Sequence, residues 1–97
     1  MASYILLATY TEQGLKGIKD TIKRTEAVRD MAKKAGLTMK ESYWTLGQYD
    51  VVALFEAPDD ESMTAFALSV AKLGNVKTQT LRAFSSKEMG TILAKTG

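Results

Sequence analysis

The stretch WTLGQYDVVALF, residues 44–55, sets a phenol beside a carboxylate in a gap between two apolar runs. Tyr49 and Asp50 could act there as a hydrogen-bond donor and a general base at a pocket mouth. A plainer reading is a hairpin turn. Gly47 would supply a positive φ, Asp50 would accept backbone N–H bonds, and Tyr49 would lie over the end of the core. Gly and Asp are ordinary turn residues, which favours the turn. Asp50, with Tyr49 as its neighbour, is still the one catalytic candidate the sequence offers.

Few other chemistries are open. The chain has no His and no Cys. That removes Ser-His-Asp catalysis, thiol nucleophiles, disulfides, Cys-ligated zinc, Fe–S clusters and His-ligated haem. Acid–base work must fall to Asp, Glu, Lys or Tyr. No metal and no cofactor are expected. Thirteen basic and eleven acidic residues give a net charge of +2. That balance is too mild to imply nucleic acid or an anionic membrane surface. The N-terminus lacks the charged and apolar regions of a signal peptide, and no apolar run could span a bilayer. A soluble, cytoplasmic protein is expected.

Three further groups could bind a ligand. Trp44 and its neighbour Tyr43 should point to opposite faces of a strand. They read as core packing, or as an aromatic wall for a planar ligand. Thr78, Thr80 and Arg82 share one parity of a later strand and could hold a carboxylate or phosphate. A solvated edge or a dimer contact explains them as well. Thr25 sits on an apolar helical stripe, where a Thr commonly bonds back to the carbonyl four residues earlier, here that of Thr21. The first helix carries Lys16, Lys19 and Lys23 on its wet face among acids, which reads as solvated surface. GLKGIK lacks the GK[ST] ending of a phosphate-binding loop.

These residues must be positioned by a short series of elements. At 97 residues one domain, 1–97, is expected. SYILLATYT (3–11) reads as a strand. Leu15, Ile18, Ile22, Val28, Ala32 and Ala35 form one helical stripe ending at Gly36, with Asp20–Arg24 and Asp30–Lys34 pairs on the wet side. LTMKESYWTL (37–46) alternates, with Leu37, Met39, Glu41 and Tyr43 on one side and Lys40, Ser42, Trp44 and Leu46 on the other. DVVALFEA (50–57) is apolar on both parities, as a central strand should be. Asp59 should cap a second helix that buries Met63, Phe66, Ala67, Val70 and Ala71 and ends at Gly74. NVKTQTLRAF (75–84) is a polar, edge-like strand. Ser85 and Glu88 make a capping box for a short last helix, which should rest Met89, Ile92 and Leu93 on an apolar surface.

The order βαββαβ is the ferredoxin-like split pattern, an α+β fold. Right-handed crossovers put both long helices on one face of an antiparallel sheet. The central strands are nevertheless apolar on both faces. The open face should therefore pack on a second copy, giving a two-fold homodimer.

YWTLGQYDVVALFEAPDDE together with LGNVKTQTLRAF closely resembles the GYD domain family, whose mark is Gly47-x-Tyr49-Asp50. The likeness extends through TEQGLKGIKDTIKR and SSKEMGTILAK, essentially the whole chain. The resemblance implies small, mostly bacterial proteins of the dimeric α+β barrel group. In that group two sheets close into a barrel, and many members keep a cavity between sheet and helices. Some are cofactor-independent monooxygenases or isomerases; others are regulatory ligand-binding domains. Fold likeness alone does not choose among them. Three functions stand open: a homodimeric module for a small apolar or aromatic ligand, a cofactor-independent enzyme, and a partner-binding assembly domain. The ligand contacts expected for the first are Trp44, Tyr49, Asp50, Thr80 and Arg82.

Overall fold

The computed structural model describes residues 1–97. Four strands, β1 (Ala2–Tyr10), β2 (Thr38–Trp44), β3 (Val51–Ala57) and β4 (Val76–Ala83), form one antiparallel sheet in the order β2-β3-β1-β4. The helices are α1 (Glu12–Lys16), α2 (Thr21–Lys34), α3 (Asp60–Lys72) and α4 (Ser86–Ala94), with a 3-10 turn at Ile18–Asp20. This is the ferredoxin-like arrangement expected, with the two strands that are apolar on both parities at the centre. No helix is long and apolar enough to cross a membrane.

Strand parity sorts the sheet into two faces. Tyr4, Leu6 and Ala8 of β1 and Ala53, Phe55 and Ala57 of β3 are buried against the helices. Met63, Phe66, Ala67 and Val70 of α3 close over them, as their spacing foretold, with Phe55 and Phe66 ring centroids 5.3 Å apart. Ile5, Leu7, Val52, Leu54 and Leu81 lie on the other face, where no helix covers them, and Leu54 and Leu81 are 38% and 40% exposed.

The segment expected to be one helix over 12–35 is interrupted. It runs as α1, then a 3-10 turn after Gly17, then α2. Glycines at 14 and 17 weaken the helix locally, and Gly14 has a second role. A Cβ there would lie 2.0 Å from the carbonyl oxygen of Asn75, so α1 presses on the start of β4 where no side chain fits. The break turns the apolar stripe. Ala32 is buried and Val28 packs on the core, but Leu15, Ile18 and Ile22 are exposed. Neither expected i,i+4 ion pair forms; the ion pairs are Glu12–Lys16, Lys40–Glu56 and Arg82–Glu88.

β2 departs from simple alternation as well. A bulge between Met39 and Glu41 leaves Lys40 out of the backbone register with β3. Met39, Ser42 and Trp44 therefore face the helices, while Glu41 and Tyr43 face the open side. α4 has the expected capping box, with Ser85 Oγ accepting from Glu88 N–H and Glu88 accepting from Ser85 N–H. It does not rest on the sheet: Met89 and Leu93 are exposed and Ile92 is only half-buried. The arm lengthens the molecule. Its radius of gyration is 14.5 Å, against roughly 12–13 Å for a compact chain of this size.

Candidate functional site

The helix-side core is filled at one end and hollow at the other. A cavity of about 130 Å³ lies between the sheet and α2, near the end of β1. Its apolar wall comes from Ala8, Val28, Met39, Ala53, Phe55 and Val76. Several small side chains meet there, so the helix and sheet do not fill the space between them.

Polar groups gather at the α2 side. Tyr10, the last residue of β1, and Thr21, the first of α2, both line the cavity, and their hydroxyl oxygens are 2.8 Å apart. Trp44 at the end of β2 donates from Nε1 to Thr21 Oγ1 at 3.1 Å. The hydroxyl of Thr21 thus joins β1, α2 and β2. Thr25 lines the cavity and also donates to the Thr21 carbonyl, as expected for a mid-helix Thr. Arg24 is the only charged residue of the lining, and its Nη2 donates to the Gly14 carbonyl at 3.0 Å. That carbonyl sits near the end of α1, where helical carbonyls lack partners within their own helix.

The Gly47–Asp50 segment is a turn, with Gly47 at φ 124° as expected. Asp50 Oδ2 accepts from the backbone N–H of Tyr10 at 2.9 Å, and its own N–H donates to the Ala8 carbonyl at 2.9 Å. The carboxylate therefore fastens the β2–β3 hairpin to the end of β1, next to the ring that lines the cavity. Tyr49 donates to Gln79 at 2.9 Å, and Gln79 is on the open face of β4. Asp50 and Tyr49 are not part of the cavity wall.

The five residues expected around one ligand accordingly occupy separate places. Trp44 bonds Thr21 of the cavity wall without lining the cavity itself, Tyr49 spans toward β4 and Asp50 fastens β1. Thr80 is an exposed residue of the β4 edge. Arg82 lies at the far end of the sheet, over Tyr4 and Phe84 at 5.5 and 4.6 Å from their ring centroids, and pairs with Glu88 at 3.4 Å. There, Tyr4 donates to Asp60. Burial first, and then the bond to Asp60, push its phenol up to about 12.

Sequence reasoning missed Tyr10, Thr21 and Arg24. Tyr10 reads as one of several strand aromatics, Thr21 as a helix residue and Arg24 as the partner of Asp20. The two glycines that break the helix were the available signal, because the break changes which side of the segment meets the sheet.

Comparison with known proteins agrees with this architecture. A curated protein of Thermus thermophilus, the glutamine synthetase and cystathionine beta-lyase binding protein, is 32% identical over 84 residues, covering 86% of this chain and 88% of its own. A crystal structure of a Thermus thermophilus protein superposes with a TM-score of 0.59 at 24% identity, covering 89% of this chain and 96% of that one. A feast or famine regulatory protein from M. tuberculosis, complexed with L-methionine, gives a TM-score of 0.68 at 14% identity, over 89% of this chain and 52% of that one. These two structures bear on the fold alone. The GYD domain pattern matches residues 4–93, and the chain belongs to the GYD domain family.

Proposed function

We propose that this protein is a small-molecule-binding module that works as a homodimer, its ligand held between α2 and the sheet. The cavity of about 130 Å³, apolar in its wall and polar beside Tyr10, Thr21 and Trp44, carries the reading. Its size is on the order of the ~150 Å³ engineered cavity that takes up benzene. The uncovered apolar face of the sheet supports the dimer. Two such faces, stacked about 10 Å apart, would bury Ile5, Leu7, Val52, Leu54 and Leu81 from both copies. Native mass spectrometry of protein purified without refolding, before and after denaturation, tests both parts. The expected species is a dimer with an adduct that leaves on denaturation. A monomer that takes up neither xenon nor benzene would end the proposal.

A second reading is favoured by the curated relative, whose name records binding to two metabolic enzymes. On that reading the module docks on an enzyme, and the exposed Phe84, Met89 and Leu93 beside and along α4 are the surface to examine. Surface plasmon resonance against glutamine synthetase from the same source organism would decide it. Binding that Met89→Asp and Leu93→Asp abolish supports the docking role, and no binding at micromolar enzyme removes it.

A further inference from the structure

Resting on the binding reading above, we infer that the cavity takes a small monocarboxylate with an uncharged apolar body, its carboxylate held by Arg24. The lining contains one cation and no acid: Arg24 is the only charged side chain among the residues that enclose the space. Arg24 is half-buried and belongs to none of the ion pairs of the molecule. A guanidinium has five N–H donors, and its one hydrogen bond here goes to the Gly14 carbonyl. The remaining donors match the planar, two-oxygen geometry of a carboxylate. Tyr10 and Thr21 line the same space; one of their hydroxyl protons is engaged in the 2.8 Å bond between them, and the other can be donated to a carboxylate oxygen.

The wall sets the rest of the ligand. Ala8, Val28, Ala53 and Phe55 offer apolar surface, and about 130 Å³ admits a benzene-sized ring or a short branched chain. An α-amino acid fits poorly. Its ammonium would be desolvated with no lining carboxylate to pair with it. A phosphate ester carries more negative charge than one guanidinium balances. The chemical class is therefore an aromatic or branched aliphatic monocarboxylic acid.

The test titrates the intact protein with benzoate, 3-methylbutanoate, benzyl alcohol and L-leucine. Calorimetry and fluorescence supply the readouts. Trp44 is the only tryptophan and is bonded to Thr21 of the cavity wall, so its emission reports occupancy. The two carboxylates should bind at least about tenfold tighter than benzyl alcohol or leucine, the scale of one charge-assisted hydrogen bond. Arg24→Gln should lose that preference while still binding benzyl alcohol. If Arg24→Gln does not fold, the Arg24 Nε–H resonance of the wild-type protein decides. It should move on adding benzoate but not benzyl alcohol, and an unmoved resonance overturns the inference. Benzyl alcohol binding as tightly as benzoate would also overturn it, leaving the binding reading intact. Failure of all four probes together with benzene would end both.

Discussion

Tyr4 and Tyr10 point to the same face from opposite ends of β1, and the two ends are built on different plans. Around Tyr4 the core is solid: Ala57 and Met63 are fully buried, and Phe55, tilted against Phe66, marks the boundary with the cavity. The phenol itself is buried and bonded to Asp60. Around Tyr10 the lining falls to Ala8, Ala53 and Thr25, space remains, and the phenol meets a hydroxyl network at the surface. One strand thus borders a close-packed core at one end and a cavity at the other. A close-packed interior strongly penalises a change of volume, whereas a hollow one has room to accept added volume.

The contrast can be broken most sharply at its solid end. Phe66→Ala should destabilise by about 3–5 kcal/mol in urea unfolding, because Phe66 is 4% exposed and packed on Phe55. Gly14→Ala should come next, at about 3 kcal/mol, since the new methyl meets the Asn75 backbone rather than a movable side chain. It should also weaken any ligand that depends on Arg24, whose bond to the Gly14 carbonyl would shift with α1.

A matched pair of small-to-large changes sharpens the contrast. Ala57→Val should cost about 1–3 kcal/mol by overpacking, whereas Ala53→Val, beside the cavity, should change stability by less than about 1 kcal/mol. The same Ala53→Val should reduce ligand uptake in the titrations above. Equal costs at the two positions would mean that the two ends pack alike.

The smallest effect is alkaline. The folded state keeps the Tyr4 proton up to about pH 12, whereas an unfolded tyrosine releases it near pH 10. The associated stability is fully present below about pH 10 and is lost as pH rises toward 12. Urea melts of wild type and Tyr4→Phe at about pH 9 and about pH 11 isolate the group. The wild type should lose more stability between them than the variant.

Much of the architecture was legible because strand parity and helix spacing report burial directly. The apolar parities of β1 and β3 placed them centrally, and Met63, Phe66 and Val70 marked the inner face of α3. The Gly47 turn was legible for the same local reason. The cavity was not. It comes from small residues of β1, β3 and α2 brought together by tertiary packing, and no local pattern records an absent volume. Arg24 escapes the local reading because a helical i,i+4 rule pairs it with Asp20. The break at Gly17 changes the geometry that the rule assumes. α4 is legible from its cap, but its apolar side has no surface within the chain to rest on.

The bulge at Lys40 carries a consequence for insertions and deletions. Met39, Glu41, Ser42, Tyr43 and Trp44 already pair with successive residues of β3, so Lys40 is the one residue that can be removed without turning any neighbour over. Losing Lys40 would straighten β2 and leave Trp44 facing the helices. Losing Ser42 would force either Trp44 outward or Glu41 inward. Within this strand the side that each residue shows is encoded by chain length as much as by residue type. A one-residue change of length is tolerable at a single place, and that place is not next to the motif that gives the family its name.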